Sequence, residues 1–371
     1  MLRYLTAGES HGKALVGILE GMVAGVKVDE ENIAQELRRR RNHYGRSSRM
    51  ALEDEKFEIL SGVRDGLTTG APIAVIIQNR DIKELEDFSP RPGHADLAGC
   101  VKYGFKNIHL VAERASARET ALRVALGAIV KSFLQEFKIK FVSHTVEIGG
   151  IKNKKIHSFA EVEKHRFDSP LFCLENDTEK EMMAVIQQAA DKGDSVGGTT
   201  EIKVQGLPAG LGSFVHYDRR FEFRIGGALL SIPAVKGIEI GEVRPFGSEN
   251  NDPIQVEDGK IKRLKNDAGG LEGGMSNGQE VVIKLKVKPV PSLRYPVDSV
   301  NLKTLTAAKT PVLRADVCVV PAVGIVAENV LALEIGSLFL EKFGGDSLPE
   351  VKRNWLSYLK ETGAVNWRIE E

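Results

Sequence analysis

Cysteine is scarce in this chain of 371 residues: Cys100, Cys173 and Cys318 lie far apart and form no CxxC pair. That spacing excludes a disulfide scaffold and a thiolate zinc site, and fits reduced thiols in a cytoplasmic protein. An excess of charge is also missing, since 51 Lys and Arg balance 51 Asp and Glu. With no global field to recruit nucleic acid or a membrane surface, any electrostatic function must be local. No uncharged run reaches the roughly 18 residues of a membrane-spanning helix, and the start, MLRYLTAGESHG, lacks an apolar signal core. No Pro/Ser/Gly-rich spacer or low-complexity tract divides the chain. Length alone allows two or three domains, but residues 1–371 read as one.

Hydrophobic residues make up 42% of the chain, enough to bury a large core, and the 37 glycines are clustered. The organising stretch is ERASARETALRVALGAIVKSFLQ, Glu113 to Gln135, apolar on nearly every face from Ala121 to Leu134 and hence a buried helix. Ser116 followed by Glu119 predicts a capping box. Arg114 and Arg118 bracket the first turn, where backbone N–H groups and the dipole favour an anion, so the helix start reads as the floor of a phosphate site. An ordinary capped core helix with surface arginines is the alternative.

Before it, Leu2 to Thr6 and Lys13 to Leu19 read as strands flanking a tight GESHG turn, Gly8 to Gly12. The turn also spells G-x-S-x-G, but a hydrolase elbow needs a helix after the serine and sheet strands before it, and neither is present. Ser10 and His11 are adjacent, so extended chain would point them apart. Asp29 predicts the cap of a helix running into Arg38, Arg39, Arg40 and Arg41, with Arg46 and Arg49 in the YGRSSR loop beyond. Six arginines in twelve residues make a local positive potential suited to phosphates and carboxylates. A nucleic-acid module using this cluster is the competing reading, without interleaved stacking aromatics to support it. Phe57 to Ser61 and Ile73 to Gln78 read as further strands. The stiff loop Ser89-Pro-Arg91-Pro-Gly-His94-Ala-Asp96 holds an arginine and a histidine. Neither His11 nor His94 has companions at metal-ligand spacing, so no metal site is expected.

The middle third, Phe141 to Gln205, reads as short strands with a helix from about Glu179 to Lys192, polar and with little chemistry despite His157 and His165. Glycine-rich loops follow at 194–198, 206–212 and, longest and mobile-looking, 266–278. None is a Rossmann or P-loop fingerprint. Val281 to Val287 reads as a strand entering Lys288-Pro289-Val290-Pro291-Ser292, Arg314 to Pro321 as a short buried strand, and Ile325 to Lys342 as a second buried helix closed by Gly344-Gly345. Without regular βαβ alternation, the expected class is α+β, long buried helices sandwiched between antiparallel β-sheets in two pseudo-related halves.

GESHG, RRR with YGRSSR, RPGHAD, RASARET, SIPAVKG, GGLEGGMSNG, KPVPS and RADVCVVPA together resemble the chorismate synthase family, in that family's order from end to end. The resemblance implies conversion of 5-enolpyruvylshikimate 3-phosphate to chorismate by anti-1,4-elimination of phosphate in the shikimate pathway, with reduced FMN required, in a homotetramer. It implies substrate contacts by Arg40, Arg46, Arg49 and Arg91; some members read Arg40 and Arg46 as nicotinamide contacts. It makes His94 the proton donor to the leaving phosphate, His11 the donor to the reduced flavin, and Asp316 a helper in removal of the C6 proton. It implies FMN contacts by Arg114, Ala115, Ser116, Pro233, Ala234, Gly273, Lys288, Pro289, Val290, Pro291, Ser292 and Arg314. No reductase module is visible, so an external flavin reductase or other electron source is expected, with NADPH needed only if this chain reduces its own flavin. Three departures touch flavin affinity: Ala115 replaces a frequent second serine, Asn107 and His109 replace a common acid and arginine, and Asp267-Ala268 varies an Asn-rich start.

Overall fold

Two antiparallel sheets face each other across a layer of helices, in a computed structural model that describes residues 2–47, 55–257, 260–312 and 315–362. In the first half, β1 (Arg3–Ala7) and β2 (Ala14–Glu20) form a hairpin, α1 (Glu30–Arg41) follows, and β3 (Phe57–Ser61) and β4 (Ile73–Gln78) complete a sheet ordered β1-β2-β4-β3. Two short helices, α2 (Asp96–Tyr103) and α3 (His109–Ala115), lead to the buried α4 (Thr120–Gln135).

The second half repeats this plan. Strands β5 (Lys140–Ile148), β6 (Gly198–Gln205), β7 (Val235–Ile240) and β8 (Val281–Val287) pair as β5-β6-β8-β7, again antiparallel. The link from β5 to β6 carries α5 (Phe159–His165) and α6 (Asn176–Asp191). Helix α7 (Phe221–Leu230) takes the place of α1, and α8 (Val320–Phe343) that of α4; α9 (Leu348–Thr362) follows. The pseudo-related halves expected from the element order are thus one topology used twice.

Alternation decides which sheet face meets the helices. Ile73, Val75 and Ile77 of β4 turn inward toward α4, and Val281, Ile283, Leu285 and Val287 of β8 are buried in the same core. The central helices are buried all round: 12 of 16 residues in α4 and 21 of 24 in α8, which is why neither has a polar face. Helix α8 is long and apolar enough to cross a membrane, but its surface is spent on this core. The helices cross closely because Gly127 of α4 lies against Asn329, where a Cβ would come within 2.4 Å of the carbonyl oxygen. Likewise Gly324 lets α8 meet the second sheet, a Cβ there standing 2.8 Å from Ser143 Oγ and Thr200 Oγ1.

One ionic chain runs through this core. Lys131 Nζ of α4 donates to Glu36 of α1 and to Glu328 of α8, each at 2.7 Å, while Glu328 accepts from Arg166 and Ser143. Burial alone would raise the Glu36 carboxyl, but Lys131 outweighs it and holds it at about 2.

Several expectations are corrected. Ser116 forms no capping box: its Oγ accepts from Arg118 N in a 3-10 turn, and the Glu119 carboxylate turns to Thr6 and Arg123. The box is at Ser158 and Glu161 of α5. Residues 315–319 are loop, not strand, and α8 begins at Val320 with Pro321 in its first turn, where a missing N–H costs nothing. The middle third is not a polar surface segment, because β6 lies between β5 and β8, the short strand Ile151–Lys152 adding a fifth at the β5 edge, and His144 and His157 are buried. The glycine loop 266–278 is pinned: Asn266 accepts from Gly270 N and donates to Glu280 O, Leu271–Glu272 pairs with Met275–Ser276, and Ser276 is buried.

Candidate active site

The β1–β2 turn is too tight to remain extended, and its curl brings Ser10 and His11 onto one side. Ser10 Oγ lies 3.2 Å from His11 Nδ1, so the expectation that the two side chains point apart is overturned. Both address Glu113 of α3: Ser10 Oγ donates at 2.8 Å, His11 N at 2.6 Å, and His11 Nδ1–H at 2.6 Å. Because Nδ1 carries that proton, Nε2 is the free position, 3.7 Å from Asp81. Burial pushes the Glu113 carboxyl up, but the bonds from His11 and Ser10 prevail and hold it at about 2. A hydrolytic triad would need His11 to take the serine proton; instead both groups feed one carboxylate, which disfavours Ser10 as a nucleophile.

His94 repeats the device. Its Nδ1 lies 2.5 Å from Asp96 Oδ1, and Arg91 grips the same carboxylate through Nε at 2.7 Å and Nη2 at 3.0 Å. Asp96 is fully buried, and although desolvation opposes ionisation, His94 and Arg91 hold its carboxyl below the ordinary range. Nδ1 again being the donor, His94 exposes Nε2 for proton transfer. Arg91 Nη1 reaches Ser292 Oγ at 2.9 Å, and Lys288 Nζ reaches Gly93 O at 2.6 Å, so the loop after β4 and the loop after β8 meet here.

The arginine cluster is less open than the sequence suggests. Arg40 is 3% exposed and fully engaged: Nε with Thr120 Oγ1, Nη1 with Glu55 Oε1 at 2.6 Å, Nη2 with Ala117 O. Burial lowers its pKa to about 10, leaving it charged at neutral pH. Arg118 reaches the same Glu55 oxygen at 2.8 Å and Asn79 Oδ1 at 3.1 Å. Asn79 in turn donates to the carbonyls of Glu9 and Gly12, so the arginine site and the His11 turn share a wall. Arg46 pairs with Asp316 at 2.6 Å, and Ser47 N donates to the same carboxylate. Asp316 is mostly buried, and Arg46 with Ser47 overcomes the desolvation, so it stays ionised. Arg49 and Arg314 lie outside the described residues.

Among the described residues the expected flavin contacts fall into connected groups, with one exception. Lys288 N donates to Ala234 O, which joins the loop at Pro233 and Ala234 to the segment Lys288–Ser292. Ala234 has φ +73, a left-handed backbone costly for a residue with a side chain. Ser195 Oγ fixes the segment further by donating to Val290 O. Arg123 bonds both Glu119 and Ser231 Oγ, tying this group to the start of α4 beside Arg114, Ala115 and Ser116. Arg114 donates to Thr6 O, and Ser116 Oγ is occupied by Arg118 N. Two cations, hydroxyls and proline-stiffened backbone suit a phosphorylated, planar ligand. Gly273 does not join them. Its hairpin contacts Phe221 at the start of α7, whereas Ser231 to Ala234 leaves that helix's other end, about 15 Å along by helix rise. A cavity of about 560 Å³ lined by Glu147, Lys152, Ser195, Thr199, Lys286 and Pro289 touches these groups at Pro289 and Ser195 and includes none of the histidines or arginines.

The carboxylates were missed by sequence reasoning: Glu113, Asp96, Asp81 and Glu55 stood beside or between singled-out residues without being chosen. For Glu113 a signal was available, since His109 and Glu113 are spaced i, i+4 on α3 and stand 3.7 Å apart. Asn107, one of the departures, accepts from Asp87 N and His109 N and so shapes the turn into α3.

A family model described as chorismate synthase matches residues 2–340. Among similar proteins, the chorismate synthase of Carboxydothermus hydrogenoformans is 46% identical, over 97% of this chain and 99% of that protein. That of Geobacter metallireducens is 44% identical, over 97% and 98%. A solved structure described as a crystal structure of chorismate synthase superposes with a TM-score of 0.80 at 37% identity, covering 97% of this chain and 98% of that one.

Proposed function

The chain belongs to the chorismate synthase family, and from that premise we propose how its own residues perform the family's reaction, loss of phosphate from 5-enolpyruvylshikimate 3-phosphate to give chorismate. The observation that carries the reading is the pair of imidazole–carboxylate dyads. His94 on Asp96 and His11 on Glu113 each fix Nδ1–H inward and leave Nε2 as the atom that moves a proton.

In this reading His94 protonates the departing phosphate at Nε2, which lowers the charge the leaving group must carry as the C–O bond breaks. Arg91, already locked to Asp96 through Nε and Nη2 and to Ser292 through Nη1, orients His94 and presents its remaining N–H groups to the substrate. Arg46 and Asp316 form a fixed ion pair, so Asp316 acts as a carboxylate, an acceptor that aids loss of the C6 proton. His11 supplies its proton on the flavin side of the site. Arg49 and Arg314 keep the substrate and flavin roles that the resemblance gives them.

The family implies a flavin, and we take it to be reduced FMN, held by Arg114, Ala115, Ser116, Pro233, Ala234 and Lys288 to Ser292. When bound, it supplies transient electron density for an elimination that is redox-neutral overall. Gly273 stands apart from the other contacts within one chain, and the homotetramer we propose would let a second copy's loop supply it. We further read residues 1–371 as one domain, cytoplasmic, with electrons from an external reductase.

Anaerobic turnover with reduced FMN and 5-enolpyruvylshikimate 3-phosphate, scoring phosphate and chorismate, tests the reading. Stoichiometric release of both is expected; absence of chorismate overturns it. Salt-sensitive duplex or RNA binding that persists in a His94→Ala variant, with no turnover by the parent, would favour the arginine cluster as a nucleic-acid module.

A further inference from the structure

We propose that Glu55 is a resident counter-ion that holds Arg40 and Arg118 until an anionic substrate group displaces it, and that it thereby sets the affinity for that group. The proposal rests on the reading of Arg40 as a substrate-site residue. As the chain stands, Arg40 is shut away from substrate, because its guanidinium is buried and each of its three nitrogens already donates, to Thr120, Glu55 and Ala117. Of these, Thr120 and Ala117 belong to the start of α4 and its preceding turn, which cannot yield without disturbing the core. Glu55 is the partner that can leave.

Three features mark Glu55 as poorly settled. Both guanidiniums crowd onto one of its oxygens, Oε1, at 2.6 and 2.8 Å. The other, Oε2, is buried with no hydrogen-bond partner among the described residues, an arrangement that forfeits much of what a buried carboxylate needs. Its backbone sits at φ +48, where a side chain with a Cβ is strained. A phosphate of the substrate presents three terminal oxygens in a tetrahedral array, so it gives each fork an acceptor of its own where Glu55 gives both the same one. Exchange of anions therefore releases strain in the protein as it fills the site.

The sign of the effect separates this role from that of a structural brace. Glu55→Gln keeps the shape and removes the competing charge, so inorganic phosphate, titrated calorimetrically against the purified full chain, is expected to bind about tenfold tighter. The KM for 5-enolpyruvylshikimate 3-phosphate falls with it, while kcat changes less. Unchanged or weaker phosphate binding by Glu55→Gln overturns the proposal. A measurement on the unmutated chain needs no variant to fold: hydrogen exchange in peptides carrying residue 55 should quicken when the substrate saturates the site, and slower exchange overturns the idea. Chorismate formation by the parent reports separately on the family reaction, so a parent that turns over with a Gln variant that binds phosphate less tightly loses the exchange and keeps the function.

Discussion

The two halves share strand order, helix placement and a long closing helix, yet they do unlike work. At the strand-one to strand-two connection the first half has only residues 8–13, the GESHG turn and Lys13, which carry Ser10 and His11 onto Glu113. The second half spends residues 149–197 on the same connection, inserting α5 and α6, and the buried His157 there packs against His144 of β5. After strand four the halves converge in purpose. The loop beyond β4 supplies Arg91 and His94, and the loop beyond β8 supplies Lys288 to Ser292 and then Asp316. The lesson is a difference in what each copy of the plan places at the site: the first brings the two carboxylate-bound imidazoles, the second stiff proline-rich backbone with Lys288 and Asp316, a division of labour under the function proposed above.

The largest effect expected from breaking this division is on chemistry in the first half. His94→Ala and His11→Ala should each lower kcat by roughly 10²- to 10⁴-fold, the usual worth of a positioned acid, with circular dichroism unchanged. Replacing His144, buried in the second half, should leave kcat within a few-fold of the parent once folded enzyme is counted. Steady-state rates on the three variants check both expectations, and a His144→Ala defect as deep as that of His94→Ala would erase the distinction.

Next is the ionic chain that clamps the halves together. Lys131→Met leaves Glu36 and Glu328 buried without their shared cation, and should cost about 3–5 kcal/mol of unfolding free energy. Urea denaturation of the parent and variant reads this directly. Loss of both halves in one transition shows that the clamp serves the common core; separate transitions would show that the halves fold independently.

A smaller effect belongs to the His11 dyad. Glu113→Gln should lower kcat about tenfold by loosening the tautomer and direction of His11. It should also change how stability varies with acid. The Glu113 carboxyl is held at about 2 against an ordinary 4.5, so its contribution is full above pH 4.5 and is lost as the pH falls toward 2. The parent's stability margin over Glu113→Gln should shrink across that window. Urea midpoints measured at several pH values check the sign; a margin that grows on acidification would mean the carboxylate is not the stabilising partner.

Much of the first half's plan was legible because it depends on local chemistry. Asp29 caps α1 as its side chain predicts, accepting from Glu31 N and Asn32 N. The alternation of Ile73, Val75 and Ile77 marks a one-sided strand, and the apolar surfaces of α4 and α8 announce buried helices. What stayed hidden was set at long range. Glu113 meets His11 across about a hundred residues, and Glu55 meets Arg118 across 63, so neither pairing leaves a periodic trace. Ser116 and Glu119 show the reverse error: their spacing fits a capping box, but Thr6 and Arg123 outbid the backbone for the Glu119 carboxylate. The arginine run shows the same limit, since its density marks a local positive potential but not that Arg40 is sealed by Glu55, Thr120 and Ala117.

The smallest test lies on the seam between the halves. Ser292 Oγ accepts from Arg91 Nη1 at 2.9 Å, a side-chain bond by which the second half's loop steadies the arginine that also holds Asp96. Ser292→Ala removes that acceptor but leaves the bidentate grip on Asp96, so the fold should lose only about 1 kcal/mol, read as a small shift in the urea midpoint. If the second half merely cradles ligand, flavin affinity should weaken while the pH profile of kcat stays in place. If it also tunes His94, the alkaline limb of that profile, where the proton donor is lost, should move, because a less constrained Arg91 changes the field at the imidazole. Comparing flavin titration with the pH profile of one variant therefore decides whether the seam transmits charge or only position.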